Sequence, residues 1–120
     1  MPTVLIVEDE VHIRQFVALN LKARGFEVLP VDNAEDGLQQ LRDHAPGALV
    51  LDIKLPGMSG WSMLEMIDSD PTLPKVPVII MTASSVLSAP DEFPYEHIIE
   101  RLAKPVSVDQ LLTAVRKVFG

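Results

Sequence analysis

Glu8, Asp9, Asp52, Thr82 and Lys104 are the residues whose types suit a single chemistry, provided the fold brings them together. Three carboxylates held close repel one another, and each resists ionising beside the others. A hard divalent cation with oxygen ligands relieves that repulsion. Magnesium suits the set, because it takes one or two carboxylates together with phosphate oxygens and water. The other groups then suit phosphoryl transfer. Asp52 supplies a carboxylate nucleophile. Lys104 and the metal neutralise charge on the transferred oxygens, and Thr82 donates a hydrogen bond to one of them. Taken singly, each residue has a plainer reading: a helix N-terminus favours Glu8 and Asp9, Asp52 suits a turn, Thr82 a cap and Lys104 a solvated surface.

The elements that must position these residues follow from periodicity. Thr3 to Val7 is a short β-branched and aliphatic run that ends in Glu8-Asp9. The segment from Glu10 to Arg24 has helical spacing, with Ile13, Phe16, Val17 and Leu21 on one face and Gly25 placed as a C-cap. Glu27 to Val31 is a weaker strand in which Pro30 removes a ladder donor, which suits an edge. Asn33 caps a helix running to about Asp43, with Leu38 and Leu41 inward. Ala48 to Leu51 is a continuous apolar run, as in a parallel strand buried on both faces, and it ends at Asp52. A loop from Pro56 to Gly60 leads into a short helix with Met63, Leu64 and Ile67 inward. Pro71 and Pro74 precede a strand from Val76 to Met81, and Ile98 to Ala103 reads as a fifth strand. Ser107 caps a last helix with Leu111, Leu112, Val115 and Val118 as its stripe. Between the last two strands, Pro90 and Pro94 forbid a long regular helix, so the fourth helix is expected to be irregular.

Five strands alternating with helices imply one doubly wound α/β domain over residues 1–120, a five-stranded parallel sheet with helices on both faces. Ligands in such sheets bind beyond the carboxyl ends of the strands, where the strand order switches direction. Glu8-Asp9, Asp52, Thr82 and Lys104 fall at four of those ends. That shared position makes coincidence a poor account of them.

Composition narrows the function classes. The chain has no cysteine, so disulfide scaffolds and thiolate zinc sites are excluded. No apolar run approaches the roughly 20 residues needed to span a bilayer, and the start lacks a secretory signature. The expected location is the cytoplasm, with no membrane association. A net charge of -7 repels phosphate backbones, which argues against direct nucleic-acid binding. His12, His44 and His97 are too scattered for a metal site and read as solvated. Trp61 and the Met58, Met63, Met66 and Met81 set read as packing.

The runs LIVEDE, LVLDIKLPGMSG, VIIMTA and LAKP, in this order and spacing, resemble the response-regulator receiver domain of bacterial two-component signalling, of the chemotaxis-regulator type. The resemblance covers essentially the whole chain. It implies a flavodoxin-like sheet of strand order 2-1-3-4-5, a magnesium site at Glu8, Asp9, Asp52 and the backbone carbonyl of Lys54, and Asp52 as phosphoacceptor. It further implies Thr82 as switch hydroxyl, Lys104 as the phosphate-binding lysine, and a cis Lys104-Pro105 bond. The partners it implies are a sensor histidine kinase or histidine phosphotransfer protein, a downstream protein target, and an optional homodimer through the fourth helix, fifth strand and last helix. Such a domain is a switch that catalyses only its own phosphorylation and dephosphorylation. The chain stops just after the last helix, which fits a stand-alone regulator or the receiver of a longer protein.

Two departures concern output, one being that the fourth-helix region carries Pro90 and Pro94 and lacks the small-residue Gly-Ala turn usual before the fifth strand. Three residues before the lysine, where an aromatic residue is usual, stands Arg101, which is expected to stay at the surface because burying an unpaired guanidinium costs several kcal/mol. The segment from Ala83 to Pro90 is then the expected moving element. Three rival functions fit the residues less well. A phosphatase or mutase of the haloacid dehalogenase type needs an Asp two residues after the nucleophile, where Lys54 stands. A flavin carrier needs a Ser/Thr/Gly-rich phosphate loop where Glu8-Asp9-Glu10 stand. A receiver-like domain that is never phosphorylated has no need of a complete pocket.

Overall fold

The computed structural model describes residues 2–83 and 95–120. In chain order the elements are β1 (Thr3–Val7), α1 (Val11–Lys22), β2 (Glu27–Val31), α2 (Ala34–His44), β3 (Ala48–Asp52), α3 (Gly60–Ser69), β4 (Val78–Thr82), β5 (Ile98–Ala103) and α4 (Val108–Phe119). The strands form one sheet of order β2-β1-β3-β4-β5, parallel throughout. The expected irregular fourth helix, and all of the segment expected to move except Ala83, fall on residues 84–94 and lie outside the described residues.

Side-chain alternation divides the core into two layers. Leu5, Val7, Leu49, Leu51, Val78 and Ile80 face α2 and α3, where Leu38, Leu41, Met63, Leu64 and Ile67 meet them. Val4, Ile6, Val50, Ile79 and Met81 face α1 and α4, against Val17, Leu21, Leu111 and Val115. Every residue of β3 and β4 is buried, as continuous apolar runs require of central parallel strands. Pro30 lies opposite Ile6 in the outer strand β2, the edge position its missing N–H demands.

The helix ends are set by local chemistry. Asn33 accepts the amide of Asp36 at 2.8 Å, and Ser107 forms a reciprocal capping box with Gln110. Gly25 adopts φ +89° beyond α1. There its amide donates to Lys22 and that of Phe26 to Leu21, closing α1 as a left-handed C-terminal turn.

Among the boundaries that differ from the sequence reading, two have a local cause. Glu10 precedes α1 instead of starting it, since its carboxylate accepts the amides of His12 and Ile13 as the cap. Strand β4 begins at Val78 rather than Val76, because Pro77 has no N–H for the ladder and restrains the residue before it. Its carbonyl still accepts from Leu49 at 2.9 Å.

Candidate functional site

The strand order reverses between β1 and β3, and the carboxyl ends of these neighbours carry the acidic residues. Glu8 follows β1 directly, is fully buried, and accepts the amide of Glu10 at 3.2 Å. Asp9 is exposed at the mouth. Asp52 ends β3, 3 % exposed, with Oδ1 accepting the Lys54 amide at 3.2 Å. One oxygen from each of Glu8, Asp9 and Asp52 lies within 4.8 Å of the others.

Lys104 follows β5, and its amide donates to the carbonyl of Thr82 at 2.8 Å, which ties the ends of β4 and β5 together. Its ammonium lies 2.6 Å from Glu8 Oε1 and 3.2 Å from Asp52 Oδ2. The Lys104-Pro105 peptide is cis. Thr82 Oγ1 is buried and has no hydrogen-bond partner among the described residues, which is a cost unless an acceptor is supplied.

Burial pushes the Glu8 carboxyl up to about 7, the Lys104 ammonium opposes the rise, and the nearby Asp52 carboxylate adds to it. Burial also works against the charge on Lys104, yet Glu8 and Asp52 outweigh it and hold that ammonium above the usual lysine range. One cation thus serves two buried carboxylates, with Asp9 beside them. An all-oxygen, net-negative donor set of this kind fits magnesium.

Of the sequence-predicted residues, Glu8, Asp9, Asp52 and Lys104 bring their side chains together, while Thr82 joins Lys104 through its backbone carbonyl and Lys54 joins Asp52 through its amide. Two residues contribute without having been predicted. Gly60 donates its amide to Ile53 at 2.9 Å, and a Cβ on it would lie 2.6 Å from the Asp52 carbonyl oxygen and 2.8 Å from Ile53 Cα. Its lack of a side chain lets α3 start against the acceptor's own backbone. Arg14 reaches back from α1 to the carbonyls of Glu8 and Asp9 at 2.9 and 3.3 Å. A cation so near a helix N-terminus, against the dipole preference, was the available signal.

The remaining residues divide simply. His12, His44 and His97 are exposed. Met63 and Met81 are core, Met58 and Trp61 pack partly buried against it, and Met66 departs from the packing expectation by lying on the open face of α3. Arg101 is half-buried opposite Ile80 on β5, and its neighbour Glu100 pairs with Lys117. A mainly apolar groove of about 310 Å³ runs beside the pocket between Ile13 and Phe16 of α1 and the segment Lys104 to Val106. Among the described residues no helix is long and apolar enough to cross a membrane.

A family model described as the response regulator receiver domain matches residues 4–116. The transcriptional regulatory protein AfsQ1 of Streptomyces coelicolor is 37% identical over 83 residues, covering 69% of this chain and 36% of that protein. The polar-differentiation response regulator DivK of Brucella anthropi is 29% identical over 119 residues, covering 98% of this chain and 96% of DivK. The chain thus spans about a third of one relative and nearly all of the other. A response regulator receiver domain protein from Clostridium thermocellum has the same fold, with TM-score 0.86, 28% identity, and 98% and 94% of the two chains covered.

Proposed function

The chain belongs to the response regulator receiver family, the phosphorylation-operated switches of two-component signalling, and on that premise we propose that Asp52 is its phosphoacceptor and residues 1–120 its single receiver unit. The observation that carries this reading is the Lys104 ammonium between the buried carboxylates of Glu8 and Asp52.

The donor is a phosphohistidine of a sensor kinase or phosphotransfer protein. An Asp52 oxygen attacks phosphorus and forms the P–O bond as the P–N bond breaks. The imidazole nitrogen leaves with the electron pair. Lys104 transfers its ammonium from the carboxylates to the phosphoryl oxygens, and Thr82 Oγ1 donates to one of them. Magnesium held by Glu8, Asp9, Asp52 and the Lys54 carbonyl would supply the charge that lets an anionic donor approach an acidic pocket. Hydrolysis of the aspartyl phosphate in the same pocket resets the switch, so the only reaction catalysed is the domain's own modification.

A cytoplasmic location and a protein partner for output follow from the same reading, since a chain of net charge -7 repels nucleic acid. Self-association through β5 and α4 is an additional output surface. Incubation with magnesium and acetyl phosphate, followed by intact mass, tests the chemistry. A single phosphate adduct is expected, absent in Asp52→Asn; an adduct that persists in Asp52→Asn, or none in the unaltered chain, rejects it.

A further inference from the structure

Arg14 sits one turn inside α1, yet its guanidinium lies outside the helix, donating to the carbonyls of Glu8 and Asp9 at 2.9 and 3.3 Å. These carbonyls belong to the two residues whose carboxylates converge with that of Asp52. The Glu8 carboxylate has fixings of its own, the Glu10 amide and the Lys104 ammonium. The Asp9 carboxylate is exposed, and among the described residues its side chain makes no hydrogen bond. Its direction is set by the backbone that Arg14 holds.

We infer that Arg14 is a positioning residue for the cation site, clamping the Glu8–Asp9 backbone so that the Asp9 carboxylate converges with Glu8 and Asp52. The inference rests on the pocket being a magnesium site. Two effects of losing Arg14 oppose each other. Removing a positive charge near the pocket tightens binding of a divalent cation. Removing the clamp weakens it. The clamp dominates, because a partly solvated charge is screened over about 8 Å at physiological salt, whereas groups that orient metal ligands typically change affinity by about 10–100-fold. The sign of the change therefore identifies the role.

The test is calorimetric titration of the full 120-residue chain with magnesium chloride at pH 8, with urea unfolding of the same metal-free proteins. Arg14→Gln is expected to weaken magnesium affinity by about tenfold. Arg14→Lys should fall between, since an ammonium reaches a carbonyl without the guanidinium's fork. Ser107→Ala, at the distant cap of α4, should lower stability with affinity unchanged. Unchanged or tighter binding in Arg14→Gln overturns the inference, and so does an affinity loss in Ser107→Ala that tracks its stability. If the unaltered chain takes up no magnesium, the pocket reading and this inference fall together. If the unaltered chain binds magnesium, is phosphorylated on Asp52 and is matched by Arg14→Gln, only the role of Arg14 falls.

Discussion

The Lys104 ammonium meets the Glu8 carboxylate at 2.6 Å, at a point where Glu8 has no exposure to solvent. A divalent cation entering the pocket must therefore compete with a lysine already paired there.

Lys104→Ala should destabilise the metal-free chain and tighten its hold on magnesium. Breaking a fully buried pair from one side costs about 3–5 kcal/mol. The Lys104 side chain keeps 22% exposure and Glu8 can take up a proton instead, so the expected loss is about 1–2 kcal/mol by urea unfolding at pH 8. Calorimetry should give a magnesium affinity several-fold above that of the unaltered chain; a weaker affinity would mean that Lys104 does not compete for the site.

Magnesium affinity should fall as pH drops through about 7, because the Glu8 proton and the cation compete for one carboxylate. The metal-free stability should move in the opposite sense. A carboxyl raised from 4.5 to about 7 on folding adds stability that is complete below 4.5 and lost as pH rises through 7. Glu8→Gln should flatten both profiles, and an unchanged pH dependence of magnesium binding in that variant would count against Glu8 as a ligand.

Gly60→Ala should disturb the acceptor. The new methyl would lie 2.6 Å from the Asp52 carbonyl oxygen, which forces backbone movement costing about 1–3 kcal/mol. Gly57→Ala is the control: at φ +76° with no atom within 4 Å of the added carbon, it pays only a left-handed backbone cost of about 1–2 kcal/mol. Phosphorylation by acetyl phosphate should slow in Gly60→Ala and not in Gly57→Ala. Equal rates would show that α3 need not start against Asp52.

Tyr95 donates its hydroxyl to the carbonyl of Val76 and is 3 % exposed. Tyr95→Phe should cost about 1–2 kcal/mol at neutral pH. Burial, with Asp68 adding repulsion, pushes the Tyr95 phenol up to about 12. Its stabilising contribution is complete below pH 10 and lost as pH rises toward 12. The alkaline limb of the stability profile should therefore be shallower in Tyr95→Phe.

The sequence made the sheet legible because the runs leading up to Asp52 and Thr82 are unbroken apolar stretches, which only a strand covered on both faces uses well. The site was legible for a related reason, since a parallel sheet delivers the residues after its strands to one rim. Arg14 and Gly60 were not legible, because their roles are contacts with backbone: the one meets carbonyls whose residues matter for their side chains, the other leaves space beside Asp52. The Gly60 contact has no side-chain pattern to read, and Arg14 offers only the weak signal of a cation set against the helix dipole. The start of β4 was misread because Val76 looks like a strand residue while its successor, Pro77, decides the pairing.

Pro30 also governs how copies of this sheet can meet. A bare outer strand is a template on which a strand of another molecule can add, and repeated addition makes fibres. Along β2 the charged Glu27 begins the strand and Pro30, with no N–H to offer, interrupts the row of donors. Only Val28 and Leu29 lie between them, well short of a typical strand of about 5–6 residues. On that side the sheet resists further growth, and crowded copies of the chain are guarded against polymerising through it.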